Sequence, residues 1–362
     1  MRDAFTSHRI STAFITPKID GGSVEAVNHP ALHFLVLVPL KVVGIEDLGA
    51  FYVLAHAVLL MLLFARTPTP YRAIVLLPLL VSGQFLDYTL GGVTDIVWAL
   101  LLVAMVMAWR RPTWRAIFYG LACAYKQQPW LLLPFLMVRL VLDREDPDRR
   151  PAFRRVLYFS AVTGSVFLLS NLPYMISDFN AWFNGVLGPI QEPLVYLGSG
   201  LSTLTQASLV SLPKSFYSLA GLVVMSALIL IYAIRFRQLK HAMWIFPAIV
   251  MWFSYRSLQS YFIYWVPVLA AVVVELLAEP RGALQSVRPS AEPLPLEKYR
   301  RSLAPLAAIR HSVTFTGFRT FLPRTSTALL AFGAAAALIA GLGIYYSSSA
   351  EGLLVISTDM IS

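Results

Sequence analysis

Long apolar runs almost empty of charge dominate this chain and leave it few ways to fold. Stretches near residues 48–65, 72–87, 93–109, 156–173, 216–236, 241–254, 258–278 and 326–346 each read as a membrane span. A helix of roughly 20 apolar residues is what crosses a hydrocarbon core of about 30 Å. An outer-membrane barrel would instead alternate apolar and polar residues in short segments. Composition agrees, with 57% of the 362 residues hydrophobic and only 13% charged, against roughly 25% charged in a soluble domain. A soluble enzyme, a disordered chain and a fibrous one are excluded. The expected fold is all-α, a polytopic transmembrane helix bundle of about eight full spans with added short re-entrant or juxtamembrane helices. One cysteine, Cys123, rules out an internal disulfide.

Two apolar stretches are too short or too broken to be ordinary spans. Residues 31–44 number 14, a helix of roughly 21 Å, and fit a juxtamembrane position. Residues 113–142 are interrupted by Lys126, Gln127, Gln128 and Pro129. They are predicted to form two half-length helices that enter and return on one side.

Charge orients the spans. Lys and Arg crowd into 66–72, 110–115, 139–155, 235–240 and 281–324, which together hold 22 of the 29. The positive-inside rule places those five regions in the cytoplasm. Acidic residues lean the other way, with 13 of 19 outside them. The net charge of +10 is therefore a topology signal, and no nucleic-acid partner is expected. The organisation that follows is an extracytoplasmic segment 1–30, a transmembrane core 31–278 with an external loop 174–215, a Pro- and Arg-rich cytoplasmic linker 279–325, a last span 326–346 and an external tail 347–362. Gly333, Ala337 and Gly341 at spacing four in the last span suit close helix packing. An external N-terminus without an apolar leader leads to the expectation that a further span precedes Met1.

Ionisable residues in or beside membrane spans are costly and point to function. Asp87 and Asp95, in QFLDYTLGGVTDIVW, flank a Gly-Gly turn. Two carboxylates there suit a general base or a divalent cation, a cofactor held open as an expectation; loop acids in water are the ordinary alternative. Lys126 and Gln127, with Gln128, sit at the apex of the broken segment and suit an anion; a snorkelling lysine is the alternative. Arg256, in WFSYRSLQSYFIYW, lies among Tyr255, Gln259, Tyr261 and Tyr264. An arginine clamps phosphate with paired hydrogen bonds, while the aromatics equally fit an interfacial belt. His29 and His33 are spaced four apart, but Pro30 and the lack of a third ligand argue against a metal. The greasy external loop, with Asp178 and Glu192, could cover a site facing lipid and medium.

Cations to hold a phosphate beside acids to work on a hydroxyl fit a lipid-phosphate substrate. The residues carry a matching resemblance. GLACAYKQQPWLLLPFL, preceded by GGVTDIVWALLLVAMVMAWRR, resembles the C-type (GT-C) membrane glycosyltransferases that use polyprenyl-phosphate sugars, and among them the mannosyltransferase-like family 87. NHPALHFLVLVPLKVVG resembles the segment after the family's first external loop, and SYRSLQSYFIYWVPVLAA its late span pair. The likeness spans roughly residues 20–280. It implies inverting transfer of a hexose, mannose by analogy, from a polyprenyl-phosphate sugar in the membrane lipid to a glycan or glycolipid acceptor. The active face would be extracytoplasmic, in the plasma membrane of a cell envelope. Lys126, Gln127 and Arg256 would then hold the donor phosphate, with Tyr255 and Gln259 beside them and Asp87 and Asp95 as the acids. The family's aspartate in the first external loop has no match here, since upstream of Asn28 only Asp3 and Asp20 occur. That departure keeps two rivals in view, a lipid-linked-sugar flippase and a non-catalytic truncated paralogue.

Overall fold

The computed structural model describes residues 16–18, 22–24, 28–45, 49–191, 194–195 and 197–278. Within them the chain is an all-α bundle with four two-residue strands. The strands β1 (Thr16–Pro17) and β2 (Ser23–Val24) pair antiparallel ahead of the first helices. Two short helices follow, α1 (Leu32–Leu35) and α2 (Val38–Val42), as expected for the stretch too short to span. Then come α3 (Gly49–Arg66), α4 (Arg72–Val81), α5 (Gly83–Leu90) and α6 (Asp95–Met107). The broken segment is α7 (Pro112–Tyr125), a 3-10 turn Gln128–Leu132 and α8 (Leu133–Leu142). A long helix α9 (Ala152–Ser177) leads into α10 (Phe179–Gln191), β3 (Leu197–Gly198) and α11 (Thr203–Gln206). The described chain closes with α12 (Lys214–Ile234), α13 (Phe236–Leu239), α14 (Phe246–Trp252), β4 (Arg256–Ser257), α15 (Gln259–Ile263) and α16 (Val266–Ala278). The linker 279–325, the last span 326–346 with its Gly-Ala-Gly stripe, and the tail lie outside the described residues.

Fewer helices are full-length spans than the apolar runs imply. Among the described residues four are long and apolar enough to cross: α3, α9, α12 and the α15–α16 unit. A fifth arises if α5 and α6, bent by 119° at their break, count as one. The predicted span 72–87 is divided at Ser82, which leaves the helical region with ψ 89°. Pro78 weakens the same stretch, because it lacks the N–H of its turn. The predicted span 241–254 shrinks to a 3-10 turn and the seven residues of α14, which Pro247 starts.

Burial ranks the helices. Two-thirds of the α15–α16 window is buried, against 11% for α9 and for α12. On α6, Ile96, Trp98, Ala99, Leu102 and Val103 are all buried. The centre is therefore α6 with α16, crossed by Trp98 and Trp265 edge to face at 5.1 Å, while α9 and α12 present apolar flanks outward. Aromatic pairs of this geometry add about 1 kcal/mol beyond area burial. α7 lies tight on α9 because Gly120 leaves room. A Cβ there would sit 2.9 Å from the Thr163 carbonyl oxygen.

The break between α7 and α8 has a local cause. Pro129 has no N–H to continue α7, and its ring would meet the Tyr125 carbonyl four residues back. Lys126 accordingly turns extended, with φ −153° and ψ 160°. The two open ends of this hairpin come together. Arg115, early in α7, meets Asp146, just past α8, at 2.8 Å. Arg115 and Arg139 both stack on the Trp109 ring, at 4.5 and 4.0 Å. The segment thus enters and returns, with Lys126 at its apex.

Candidate functional site: a buried polar centre at the hairpin apex

Gly92, at φ +78°, turns the chain between α5 and α6, a conformation that favours glycine. The turn sets Asp95 at the first position of α6, where the helix dipole favours a negative charge. Lys126 Nζ reaches Asp95 at 2.7 Å, with both side chains almost wholly buried. Trp98, one helical turn on, donates its indole N–H to the same carboxylate oxygen at 2.5 Å. Lys126 also donates to Thr94 Oγ1 at 3.5 Å. The Tyr261 ring lies 6.0 Å from Lys126 Nζ. That tyrosine is within electrostatic reach of both Asp95 and Arg256.

Arg256 comes from a second, tightly stitched piece of chain. β4 pairs parallel with β3, joining Arg256 to Leu197 and Ser257 to Gly198. Ser257 Oγ accepts the Gly200 N–H at 2.9 Å, and the Trp252 carbonyl accepts the Leu201 N–H at 2.8 Å. A Cβ on Gly200 would lie 2.2 Å from that carbonyl oxygen, so only glycine fits. The loop after α10 thereby pins the turn that carries Arg256. Among the described residues no carboxylate pairs with its guanidinium.

His29 and His33 complete the rim, their rings 4.4 Å apart, with His33 4.9 Å from the Tyr125 ring. Burial, then the charge of Lys126, pushes the His29 imidazole down to about 3. Burial, then His29 and Lys126, holds His33 well below its usual range. His33 Nδ1 and Gln128 Oε1 are buried with no hydrogen-bond partner among the described residues.

The expected site residues divide. Asp95 and Lys126 pair, Gln127 meets His29 beside them, and Arg256 is linked to the pair through Tyr261. Asp87 does not join the cluster: it is exposed on α5, with no ion pair among the described residues. Gln259 faces α5 instead, accepting from the Tyr88 hydroxyl at 2.7 Å and donating to Gln84 at 3.0 Å. Tyr255 is buried with Leu194 and Tyr217 and carries Lys214 Nζ 4.5 Å above its ring. Gln127 is fully engaged. Its amide donates to the carbonyls of Asn28 and Val186, both at 2.7 Å, and its oxygen meets His29 Nδ1 at 3.2 Å. Among the described residues no group of three or more His, Cys, Asp or Glu is placed to hold a metal ion. Asp178 caps α10 by accepting the Ala181 N–H, and Glu192 lies outside the described residues. Sequence reasoning passed over Trp98 and Thr94, and met Tyr261 only as a neighbour of Arg256. Only Trp98 left a signal, an indole one helical turn after a carboxylate.

The model of glycosyltransferase family 87 matches residues 29–280, which include the whole polar centre. The chain belongs to glycosyltransferase family 87 and is a multi-pass membrane glycosyltransferase of the GT-C-like kind. Comparison with curated proteins and with solved structures returned no significant match.

Proposed function

We propose that the chain transfers a hexose, mannose by analogy, from a polyprenyl-phosphate donor to the hydroxyl of a glycan or glycolipid acceptor. The active face is the extracytoplasmic side of the plasma membrane. One observation carries the reading. Lys126 already has its counter-charge in Asp95, whereas Arg256 is a half-buried cation without a described carboxylate partner. A sugar phosphodiester brings one negative charge, which matches that one excess cation.

In the reaction the bond between the sugar C1 and the phosphate oxygen breaks, and the acceptor oxygen bonds to C1 from the opposite face. The acceptor proton leaves to a base, and the departing phosphate gains a second negative charge. Arg256 holds the phosphate in the ground state. Lys126, fixed by Asp95, adds a preorganised positive field where the second charge develops, and such fields act most strongly in water-poor sites. Asp95 is held through Oδ1 by Lys126 and Trp98, so it positions the lysine. Asp87, the free acid on α5, is the candidate for acceptor contact.

The test is an assay of hexose transfer from labelled polyprenyl-phosphate hexose by the purified full chain. Arg256→Ala should lower turnover by about 10²- to 10³-fold, the usual loss when one charge-stabilising donor is removed, and Arg256→Lys should recover part of it. Lipid moved across vesicles without product would mark a flippase. Neither product nor movement would mark a non-catalytic paralogue.

A further inference from the structure

We infer that Gln127 and Asn171 are positioning residues: two amides, one in the break after α7 and one on α9, that hold a single cap over the Lys126–Asp95 pair. Gln127 sits beside Lys126 at the hairpin apex. Its two amide hydrogens go to Asn28 and Val186. A primary amide has only two, so Gln127 keeps none for a phosphate. Asn171 is wholly buried on α9, a helix otherwise turned outward. Its oxygen accepts the Ala31 N–H and the Trp182 indole N–H, both at 3.0 Å. Its own amide donates to the Phe167 carbonyl at 3.0 Å. The two amides therefore grip the same two elements from opposite sides, the segment around residues 28–31 and the helix α10. Those elements share a small apolar core of Ala31, Tyr174, Trp182 and Val186, separate from the main core of the bundle. The inner side of the cap is His29 and His33, laid over Tyr125 next to Lys126.

The chemistry of the two clamps is opposite. Gln127 works by donating, Asn171 by accepting. A carboxylate in place of Gln127 sets negative oxygens against two carbonyls and opens its clamp. A carboxylate in place of Asn171 still accepts from Ala31 and Trp182, and loses only donations within its own helix, to Phe167 and Ser170, so the clamp across elements stays closed. No phosphate ligand would show this opposition. The cap as a cover for the donor rests on the proposed function; the clamp itself does not.

The experiment uses the purified full chain in detergent and follows carbethoxylation of His29 by diethyl pyrocarbonate, read by peptide mass spectrometry. The neutral imidazole is the reactive form, so protection in the unsubstituted protein reports shielding. Gln127→Glu, Gln127→Leu and Asn171→Leu should each speed modification of His29 by about tenfold, the equilibrium change carried by about one lost hydrogen bond. Asn171→Asp should stay within about threefold of the unsubstituted protein. Either Gln127 variant suffices if the other fails to fold. In transfer assays Gln127→Leu should raise the donor KM more than it lowers kcat. Unchanged protection of His29 in the Gln127 variants would overturn the proposal. So would equal exposure in Asn171→Asp and Asn171→Leu. If protection responds as expected while no variant and no unsubstituted protein uses the donor, the clamp stands and the donor reading falls.

Discussion

The hairpin of α7 and α8 buries ions at both ends, and the two ends are built to different plans. At its base the carboxylates are saturated. Asp146 takes the two Nη atoms of Arg115, at 2.8 and 3.4 Å, and the Asp148 N–H. Asp143 takes Lys240 at 3.1 Å, Arg139 at 3.6 Å and the Glu145 N–H, and its carbonyl accepts Arg155 at 2.7 Å. At the apex, roughly 21 Å away by helix length, one lysine has one carboxylate and one arginine has none described. Among the described residues the base carboxylates have no valence left for a ligand, although the Nε atoms of Arg115, Arg139 and Arg155 are buried without hydrogen-bond partners. Among the same residues the open centre keeps a cation without a carboxylate, and an imidazole nitrogen and an amide oxygen without hydrogen-bond partners. The same residue types thus serve architecture at one end and a site at the other, and the difference lies in how fully the carboxylates are used.

The sharpest way to break this contrast is at the knot. Arg115→Met leaves Asp146 buried without its partner and should cost about 3–5 kcal/mol, whereas Arg115→Met with Asp146→Leu should recover most of it. Thermal unfolding in detergent reads both. The donor KM of any folded fraction should not move. If Arg115→Met changes transfer and spares stability, the base belongs to the site and the contrast fails.

The apex answers to the opposite test. Lys126→Met and Asp95→Leu should each destabilise the protein, with a coupling of roughly 2 kcal/mol in the double variant. The double variant should regain stability and stay inactive, because two apolar residues can fill the space of the pair but provide no field. A double variant that transfers sugar would make the pair architectural too.

Acidity should act at both ends, because burial also pushes the His241 imidazole, beside the base, down to about 4. His29 falls to about 3 when folded, against 6.5 when unfolded. The folded state then binds fewer protons. Its stability from this group is complete above pH 6.5 and is lost as pH drops through 6.5 toward 3. His33 shifts the same way. Melting temperature should decline from pH 7 to pH 5, and His29→Gln should flatten that decline. A slope unaffected by His29→Gln would place the acid sensitivity elsewhere.

Much of this plan was legible in the chain. The break at Lys126–Pro129 announced the hairpin, and the largely apolar 14-residue stretch 31–44 announced a helix too short to span. The pairing of Lys126 with Asp95 was not legible, because periodicity assigns a residue to a face without saying which helix that face meets. Asp87 and Asp95 share one short loop and looked equivalent. The 119° bend between α5 and α6 buries one and exposes the other. Gln127 read as a phosphate ligand because its neighbour is a lysine. Only the fold shows that carbonyls of Asn28 and Val186, distant in sequence, consume its hydrogens. Gln259 likewise belongs to Gln84 and Tyr88.

The finest test of saturation uses one hydrogen bond at each end. Trp98→Phe keeps a ring against Trp265 and removes the indole N–H from Asp95. A lost hydrogen bond to a charged group is worth roughly 1.5–3 kcal/mol, and the smaller figure applies where Lys126 still holds the carboxylate. Arg150→Ala at the base removes an ion pair to Asp148 from a side chain 43% exposed, where such pairs contribute about 0–1 kcal/mol. Both variants should fold. Trp98→Phe should slow transfer about tenfold with little change in donor KM, because Asp95 then holds Lys126 less firmly where the departing phosphate gains its charge. Arg150→Ala should leave transfer where it was. If the two variants behave alike, firm placement of Lys126 is irrelevant to turnover, and the open apex works by charge alone.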